Sequence, residues 1–413
     1  MSTSTEPNTS ALGASSVLAI PGFPTLLVAN VSFFMGFTTF FLLPKYMVTE
    51  LGATEAQVGW VMASYGGLAI ASLPFVGNLS DRLGRRPFLL LGATILGLTC
   101  LGFLAVDRVG GLILLLRGLQ GLAFSFWFVC SSTLVVDLVE PHRRGSALGL
   151  FGISTLVTHG LSPSIAEWVA HTWSYNMVFL MAFAYCLGAW AFASRLDRPS
   201  KKNIAHPVGS TRGIGGILKD PGINLLVLPT LLLGFGFGTI MVFSQPHALN
   251  RGIQLVSALF IAYSVTSILI RAFFSHVPDL PNKRLVLIPS VIAMGTGVGL
   301  LYWVHAIPLF IACGILMGLG HSLSYPTMNA LLINRLNTGE HGRGMSIFVG
   351  GFNLGMIISQ VTLGYLTQVI ALENLFLLAG IAVWMSIPLL IWATGPKVTD
   401  WSVPHPVDRK KQG

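Results

Sequence analysis

Long apolar stretches alternate with short polar connections along the whole chain. About twelve of them run for roughly 17–25 residues, enough for a helix to cross a bilayer core. The cores are Thr25–Leu43, Val58–Val76, Phe88–Val106, Gly111–Val136, Ala147–Val169 and Met177–Ala193, then Leu225–Ser244, Val256–Phe274, Leu285–Val304, Ile307–Leu332, Met345–Val369 and Phe376–Thr394. The fourth stretch is broken by a charge: Arg117 follows Leu112-Ile113-Leu114-Leu115-Leu116. A guanidinium at bilayer depth costs about 2.5–3.5 kcal/mol even on a lenient insertion scale, so it is expected to face a bundle interior or a wet cavity. The pattern predicts a polytopic membrane protein with a polar pathway through it.

Composition excludes the soluble alternative. Of 413 residues, 53% are hydrophobic and only 9% charged. The first segment, Met1–Gly22, has no Lys or Arg and so lacks the basic region of a secretory signal; it reads as a retained tail. The formal charge of +9 invites a nucleic-acid reading, but the cations are distributed otherwise. Arg82, Arg85, Arg86, Arg143, Arg144, Arg195, Lys201, Lys219, Lys283, Arg284, Arg335 and Arg343 fall in alternate connections, whereas the intervening connections hold Lys45, Arg108 and Arg251. That asymmetry predicts a multi-pass protein with both termini in the cytoplasm, and no nucleic-acid partner. Cys100, Cys130, Cys186 and Cys313 lie within apolar runs at no metal-ligand spacing, so they read as small buried residues and no metal is expected.

One connection is long, polar and basic: Ser194–Asn224, with Pro199, Pro207 and Pro221. It divides the chain into two sets of six spans. The expected organisation is a tail 1–24, a first bundle 25–194, a linker 195–224, a second bundle 225–395 and a tail 396–413. An internal repeat supports the division. Arg143-Arg144-Gly145-Ser146-Ala147-Leu148-Gly149 matches Gly342-Arg343-Gly344-Met345-Ser346-Ile347-Phe348, and a nearly equal offset lays Asp81 on Asp279 and Arg85-Arg86 on Lys283-Arg284. Glycines at Gly145/Gly149, Gly314/Gly318 and Gly351/Gly355 have the spacing of close helix contacts. Gly234-Phe235-Gly236-Phe237-Gly238 follows no strand and reads as helix packing, not a nucleotide loop.

The connection after the second span reads Gly77-Asn78-Leu79-Ser80-Asp81-Arg82-Leu83-Gly84-Arg85-Arg86-Pro87. Gly84 permits a tight reversal, Asp81 can pair with Arg85, and Arg86 marks the basic face. The segment resembles the signature loop of the major facilitator superfamily. Arg117-Gly118-Leu119-Gln120-Gly121 is similar to that family's fourth-helix motif, and Asp137 with Glu140-Pro141-His142-Arg143-Arg144-Gly145 to the segment after it. The resemblance runs from the first span to the twelfth. It implies an all-α fold of twelve transmembrane helices in two pseudo-symmetric six-helix bundles. It also implies a cytoplasmic charge cluster of Asp81, Arg85 and Asp137 that latches the outward-facing state and breaks on inward opening. The fifth span departs from the drug-exporting pattern: Gly160-Leu161-Ser162-Pro163 keeps the proline but not the glycine pair. Pro163 is expected to kink or loosen that helix.

Polar side chains at membrane depth are few. Asn30, Arg117, Gln120, His159, His321 and Asn353 are the candidates for a solute or proton pathway, with Glu167 near the outer end of its span. Histidine titrates near neutral pH and can carry a coupling proton; a hydrogen-bonded bundle histidine is the alternative. The first span has no carboxylate. Phe33, Phe34, Phe37, Phe41, Phe124, Trp127 and Phe128 make the first and fourth spans aromatic, either lining a pocket or packing the bundle.

These features predict a monomeric secondary transporter in a bacterial cytoplasmic membrane, moving a small organic molecule by alternating access. Proton-coupled efflux is the first reading. Uptake of a sugar or organic acid, by proton symport or facilitated diffusion, is the second. No cofactor is expected beyond the proton gradient. A membrane-embedded enzyme needs a catalytic constellation, and the spans hold no H-E-x-x-H, G-x-S-x-G or paired aspartates.

Overall fold

The computed structural model describes residues 17–140, 143–196, 212–274, 277, 282–337 and 340–394. Most of both expected tails and of the linker lie outside the described residues, as does the side chain of Asp81.

Among the described residues twelve long helices follow one another: α1 Phe23–Thr49, α2 Glu55–Leu83, α3 Arg85–Ala105, α4 Gly111–Leu138, α5 Arg144–Thr172, α6 Tyr175–Ser194, α7 Pro221–Asn250, α8 Ser257–Phe273, α9 Lys283–Trp303, α10 Ile307–Ile333, α11 His341–Leu366 and α12 Asn374–Ala393. Among the described residues there is no strand. Nine of the twelve are long and apolar enough to cross a membrane, and α8 is apolar but shorter. Where the chain enters a helix, side chains satisfy the first free amides. Thr54 and Gln57 form a reciprocal capping box on α2, Ser174 caps α6, Asp220 caps α7 ahead of Pro221, and Asn282 caps α9.

The expected signature loop is mostly helix. Gly77–Leu83 completes α2 and Arg85 opens α3, leaving Gly84 alone to make the reversal. Its φ of +88° is a conformation that side-chain-bearing residues rarely adopt. Pro87 sits in the first turn of α3, where no helical N–H is lost. α1 also runs past its expected end, through a tighter turn at Thr39–Leu42 that feeds Leu43–Thr49.

The two halves repeat each other in their packing. In the first, α1 packs on α5 and α6, α2 on α4, and α3 on α4 and α6; in the second, α7 packs on α11 and α12, α8 on α10, and α9 on α10 and α12. Every pair maps on its counterpart six helices later. The halves meet along two seams that exchange under the same operation, α2 with α11 and α5 with α8. The basic residues repeat as well. Arg86 at the start of α3 donates to the Ser194 carbonyl ending α6, and Arg284 at the start of α9 donates to the Ile391 carbonyl near the end of α12. A cation at a helix C-terminus meets both the free carbonyls and the negative end of the dipole.

Close contacts explain the glycines only in part. Gly121 lies on the backbone of Tyr65, Gly234 on Phe352, Gly355 on Leu231, and Gly314 and Gly318 on Leu259 and Tyr263. Gly145 and Gly149, expected to be packing sites, have nothing within 4 Å of a Cβ. They lie at the basic end of α5 and are exposed, while Gly152, one turn on, is met by Arg271 of α8.

Candidate functional site

Arg117 is buried (3% exposed) on α4. Its Nη1 donates to Gln120 Oε1 one turn along (2.7 Å), and its guanidinium lies over the Tyr65 ring of α2, 5.1 Å from the centroid. Arg117 Nε and Gln120 Nε2 are both buried without a hydrogen-bond partner. Two unanswered donors on one helix face define a place that calls for an acceptor.

Asn30 does not join them. Its amide donates to Ser154 Oγ (3.0 Å) and Thr155 Oγ1 (2.9 Å) of α5, and its carbonyl accepts Trp127 Nε1 of α4 (3.1 Å). The residue ties three helices of one half together and is fully buried. Both of its amide hydrogens are committed within the bundle. Asn353 spends one of its donors on Val349 of its own helix (2.8 Å).

The two histidines come together between the halves. His159 of α5 bonds the Thr155 carbonyl through Nδ1 (2.9 Å), and its ring lies 5.1 Å from Phe41 and 6.3 Å from Tyr263. His321 of α10 pairs through Nδ1 with the Tyr263 hydroxyl (3.0 Å) amid Phe237, Tyr325 and Phe352. Arg271 of α8 reaches α5 beside Gly152, about two turns before His159. Pro163, one turn beyond His159, does not break α5. The carbonyl of nearby Thr158 accepts the Thr38 hydroxyl of α1 (2.9 Å).

Glu167 lies apart from this centre, on the face opposite the basic one. It is 7% exposed. Its carboxylate takes Lys45 Nζ of α1 at 2.6 Å and the backbone amides of Val256 (3.0 Å) and Ser257 (2.8 Å), where α8 begins. Lys45 also donates to the Gln254 carbonyl (2.8 Å), and Gln245 of α7 donates to the Phe41 carbonyl (2.5 Å). A first-half ion pair thus caps a second-half helix with negative charge at its positive end. In the other seam Gly59 of α2 lies on the Gln360 carbonyl of α11, Gly364 on Glu55 and Gly59, and Gly66 on Ile357. Nothing comes within 4 Å of a Cβ at Gly77, Gly149 or Gly350 toward the basic face. The polar contacts between the halves at the charge-poor face are thus those of Lys45, Glu167, Gln245 and the start of α8.

At the basic face Arg85 Nε meets Asp137 Oδ2 at 2.5 Å, a pair formed by α3 and α4 of one half. Both partners belong to one half, and the third expected member of the cluster, Asp81, has its side chain outside the described residues. Arg144 reaches the Val139 carbonyl (3.4 Å). Gly77 lies in α2 with open space beside it. In the second half Glu340 is buried and takes Arg212 through Nε (2.9 Å), Nη2 (3.0 Å) and the backbone amide (3.1 Å).

Sequence reasoning missed Arg271, Tyr65, Tyr263, Tyr325 and the Lys45–Glu167 pairing. Arg271 had a signal: it is a cation inside the apolar run Ser267-Ile-Leu-Ile-Arg-Ala-Phe-Phe274. The tyrosines had none, since aromatic residues are common throughout such helices. Among the described residues there is no His/Cys/Asp/Glu cluster that could hold a metal.

Two six-helix bundles with seams that exchange under an internal pseudo-symmetry, around a buried polar centre, define a multi-pass membrane transporter. The family model of the Major Facilitator Superfamily matches residues 25–279 and 226–409, and the chain belongs to that family. It is 23% identical over 342 residues to an uncharacterised MFS-type transporter of Methanocaldococcus jannaschii, covering 80% of this chain and 87% of that protein. It is 23% identical over 375 residues to multidrug resistance protein MdtL of Salmonella heidelberg, covering 86% and 90%. A crystal structure of the nucleoside transporter NupG superposes with a TM-score of 0.76 at 13% identity, over 90% of this chain and 99% of that one. The chain is a transporter and not an enzyme.

Proposed function

We propose that this transporter exports a small organic solute across a bacterial cytoplasmic membrane by alternating access, driven by proton entry. The basic face is taken as cytoplasmic, with both termini there, from the asymmetry of Lys and Arg among the connections. What supports alternating access is a set of contacts between the halves that lies at one face of the molecule. Lys45, Glu167 and the start of α8 are locked together at one face, while Gly149 and Gly350 stand clear at the other. A molecule held shut on its outer side is the form in which an exporter would load its solute.

Residues 25–194 and 225–395 would rock as two units about the α2–α11 and α5–α8 seams, and the protein would work as a monomer. The name of its relative, multidrug resistance protein, favours export over uptake. His159 and His321 are the proton candidates, because they lie between the halves and can exchange hydrogen-bond partners when these move.

The test is solute counterflow in proteoliposomes of known orientation, with and without an imposed pH gradient. Accumulation on the side away from the basic face, collapsing with the gradient, supports proton-driven export. Equal transport with and without the gradient removes proton coupling, and accumulation toward the basic face reverses the direction.

A further inference from the structure

Tyr263 of α8 is the one side chain, among the described residues, whose ring meets both histidines of the α5–α8 region. It is 1% exposed. Its ring centroid lies 5.9 Å from that of His321 and 6.3 Å from that of His159. Its hydroxyl pairs with His321 Nδ1 at 3.0 Å. Backbone contact supports the pairing: Gly314 and Gly318 of α10 lie on the Leu259 and Tyr263 carbonyls, so no side chain spaces the two helices there. The other titratable or charged groups nearest His321 are Tyr325 of its own helix, Arg271 of α8 and His159 of α5. From α7 and α11 it meets Phe237 and Phe352.

The direction of the hydrogen bonds follows from where they end. A carbonyl only accepts. Ser267, one turn beyond Tyr263, is fully buried and donates to the Gly318 carbonyl (3.5 Å). Ser267 is also hydrogen-bonded to Tyr263. With its own hydrogen spent on the carbonyl, Ser267 receives that of Tyr263. The Tyr263 oxygen is then the acceptor for His321 Nδ1–H. His159 reaches the same form more simply: its Nδ1 meets the Thr155 carbonyl (2.9 Å) and must carry the hydrogen. In both neutral rings the lone pair falls on Nε2.

We propose that Tyr263 is a positioning residue for proton coupling: it fixes His321 with its hydrogen on Nδ1, so that Nε2 takes up and releases the coupling proton. This deepens the proton-driven reading and rests on it. The proton adds to the Nε2 lone pair and leaves from the same nitrogen. Nδ1–H stays on the Tyr263 oxygen throughout, and Tyr263 itself neither gains nor loses a proton. No hydrogen bond has to turn over when the charge arrives.

Nitrogen NMR of isotopically labelled histidine distinguishes the two neutral tautomers at alkaline pH. It is read on the full-length protein in lipid nanodiscs, with His321→Gln to assign the signal. The native protein should show His321 with hydrogen on Nδ1. Tyr263→Phe keeps the ring but removes the hydroxyl, and should lose that form. Ser267→Ala leaves Tyr263 and His321 in place but frees the Tyr263 hydrogen to turn toward Nδ1, and should move the ring hydrogen to Nε2. Melting temperatures separate these changes from lost folding. In proteoliposomes Tyr263→Phe should lose most pH-driven accumulation, with counterflow in the absence of a gradient within about twofold of native. Hydrogen on Nε2 in the native protein, one tautomer shared by the native protein and both variants, or undiminished pH-driven accumulation in Tyr263→Phe overturns the proposal. A native protein that carries Nδ1–H but transports equally with and without the gradient would remove proton coupling and leave the tautomer assignment standing.

Discussion

Lys45 and Glu167 meet at 2.6 Å on the charge-poor face, and the same carboxylate receives the first amides of α8 from the other half of the molecule. One acidic side chain therefore does two things: it neutralises a nearly buried lysine and holds the α5–α8 seam shut. Its four-atom reach fixes the distance between two helices that must separate if solute is to leave there.

Glu167→Gln keeps the shape but loses the charge at the α8 terminus and the counter-ion of Lys45. A charge at a helix end contributes about 0.3–1 kcal/mol, and up to ~2 when partly buried. The variant should populate the form open at the charge-poor face several-fold more, read as faster thiol labelling of Leu255→Cys. Unchanged labelling would show that the pair does not hold the seam.

Gly59→Ala addresses the other seam. A Cβ there would overlap the Gln360 carbonyl of α11, and overpacking of this kind costs about 1–3 kcal/mol. Because the clash exists only while that face is closed, the substitution should shift the molecule the same way as Glu167→Gln. Labelling of a cysteine at Trp60, which is 47% exposed and faces Tyr365 across the seam, reads the shift. A fall in stability with no change in labelling would place the strain elsewhere.

Asn30→Ala should behave differently. It strands Trp127 Nε1 and removes two hydrogen bonds to α5, for a loss of about 1–3 kcal/mol of stability. Solute affinity in the folded fraction should stay within about twofold, since a twofold change is only ~0.4 kcal/mol. A large affinity loss at unchanged melting temperature would place Asn30 in the solute site.

The Arg212 guanidinium, bonded to Glu340, holds that carboxyl down to about 2, below the ordinary carboxylate range. The folded value lies below the unfolded one, so this contribution to stability is complete above roughly pH 5 and is lost as pH falls toward 2. Glu340→Gln should flatten that part of the acid-denaturation curve and lower the plateau above it. An unaltered curve would mean that the pair contributes nothing to holding Arg212 on the second half.

The sequence made the helices legible because bilayer thickness imposes a length on each apolar run, and it made the halves legible because their basic turns repeat. Arg117 and Gln120 were visible as polar residues where lipid forbids them. Their partners were not. Tyr65 looks like any membrane aromatic until α2 and α4 bring it under Arg117, and the cation of Arg271 was visible while the α5 neighbour it reaches was not. Glu167 was visible as a carboxylate near the outer end of its span, but its partners were not. Only the fold brings Lys45 and the start of α8 to it, from 122 residues upstream and 89 downstream.

The central claim is that the two halves rock about seams that open in turn. Pulsed spin-label distances in lipid nanodiscs test it directly, with one pair at Gly149 and Phe273 on the basic side of the α5–α8 seam and another at Thr172 and Leu255 on the other. On passing from the native residue to Gln at position 167, the Thr172–Leu255 distance should lengthen while the Gly149–Phe273 distance shortens. If both distances stay fixed, or both change in the same direction, the halves do not alternate and the account fails.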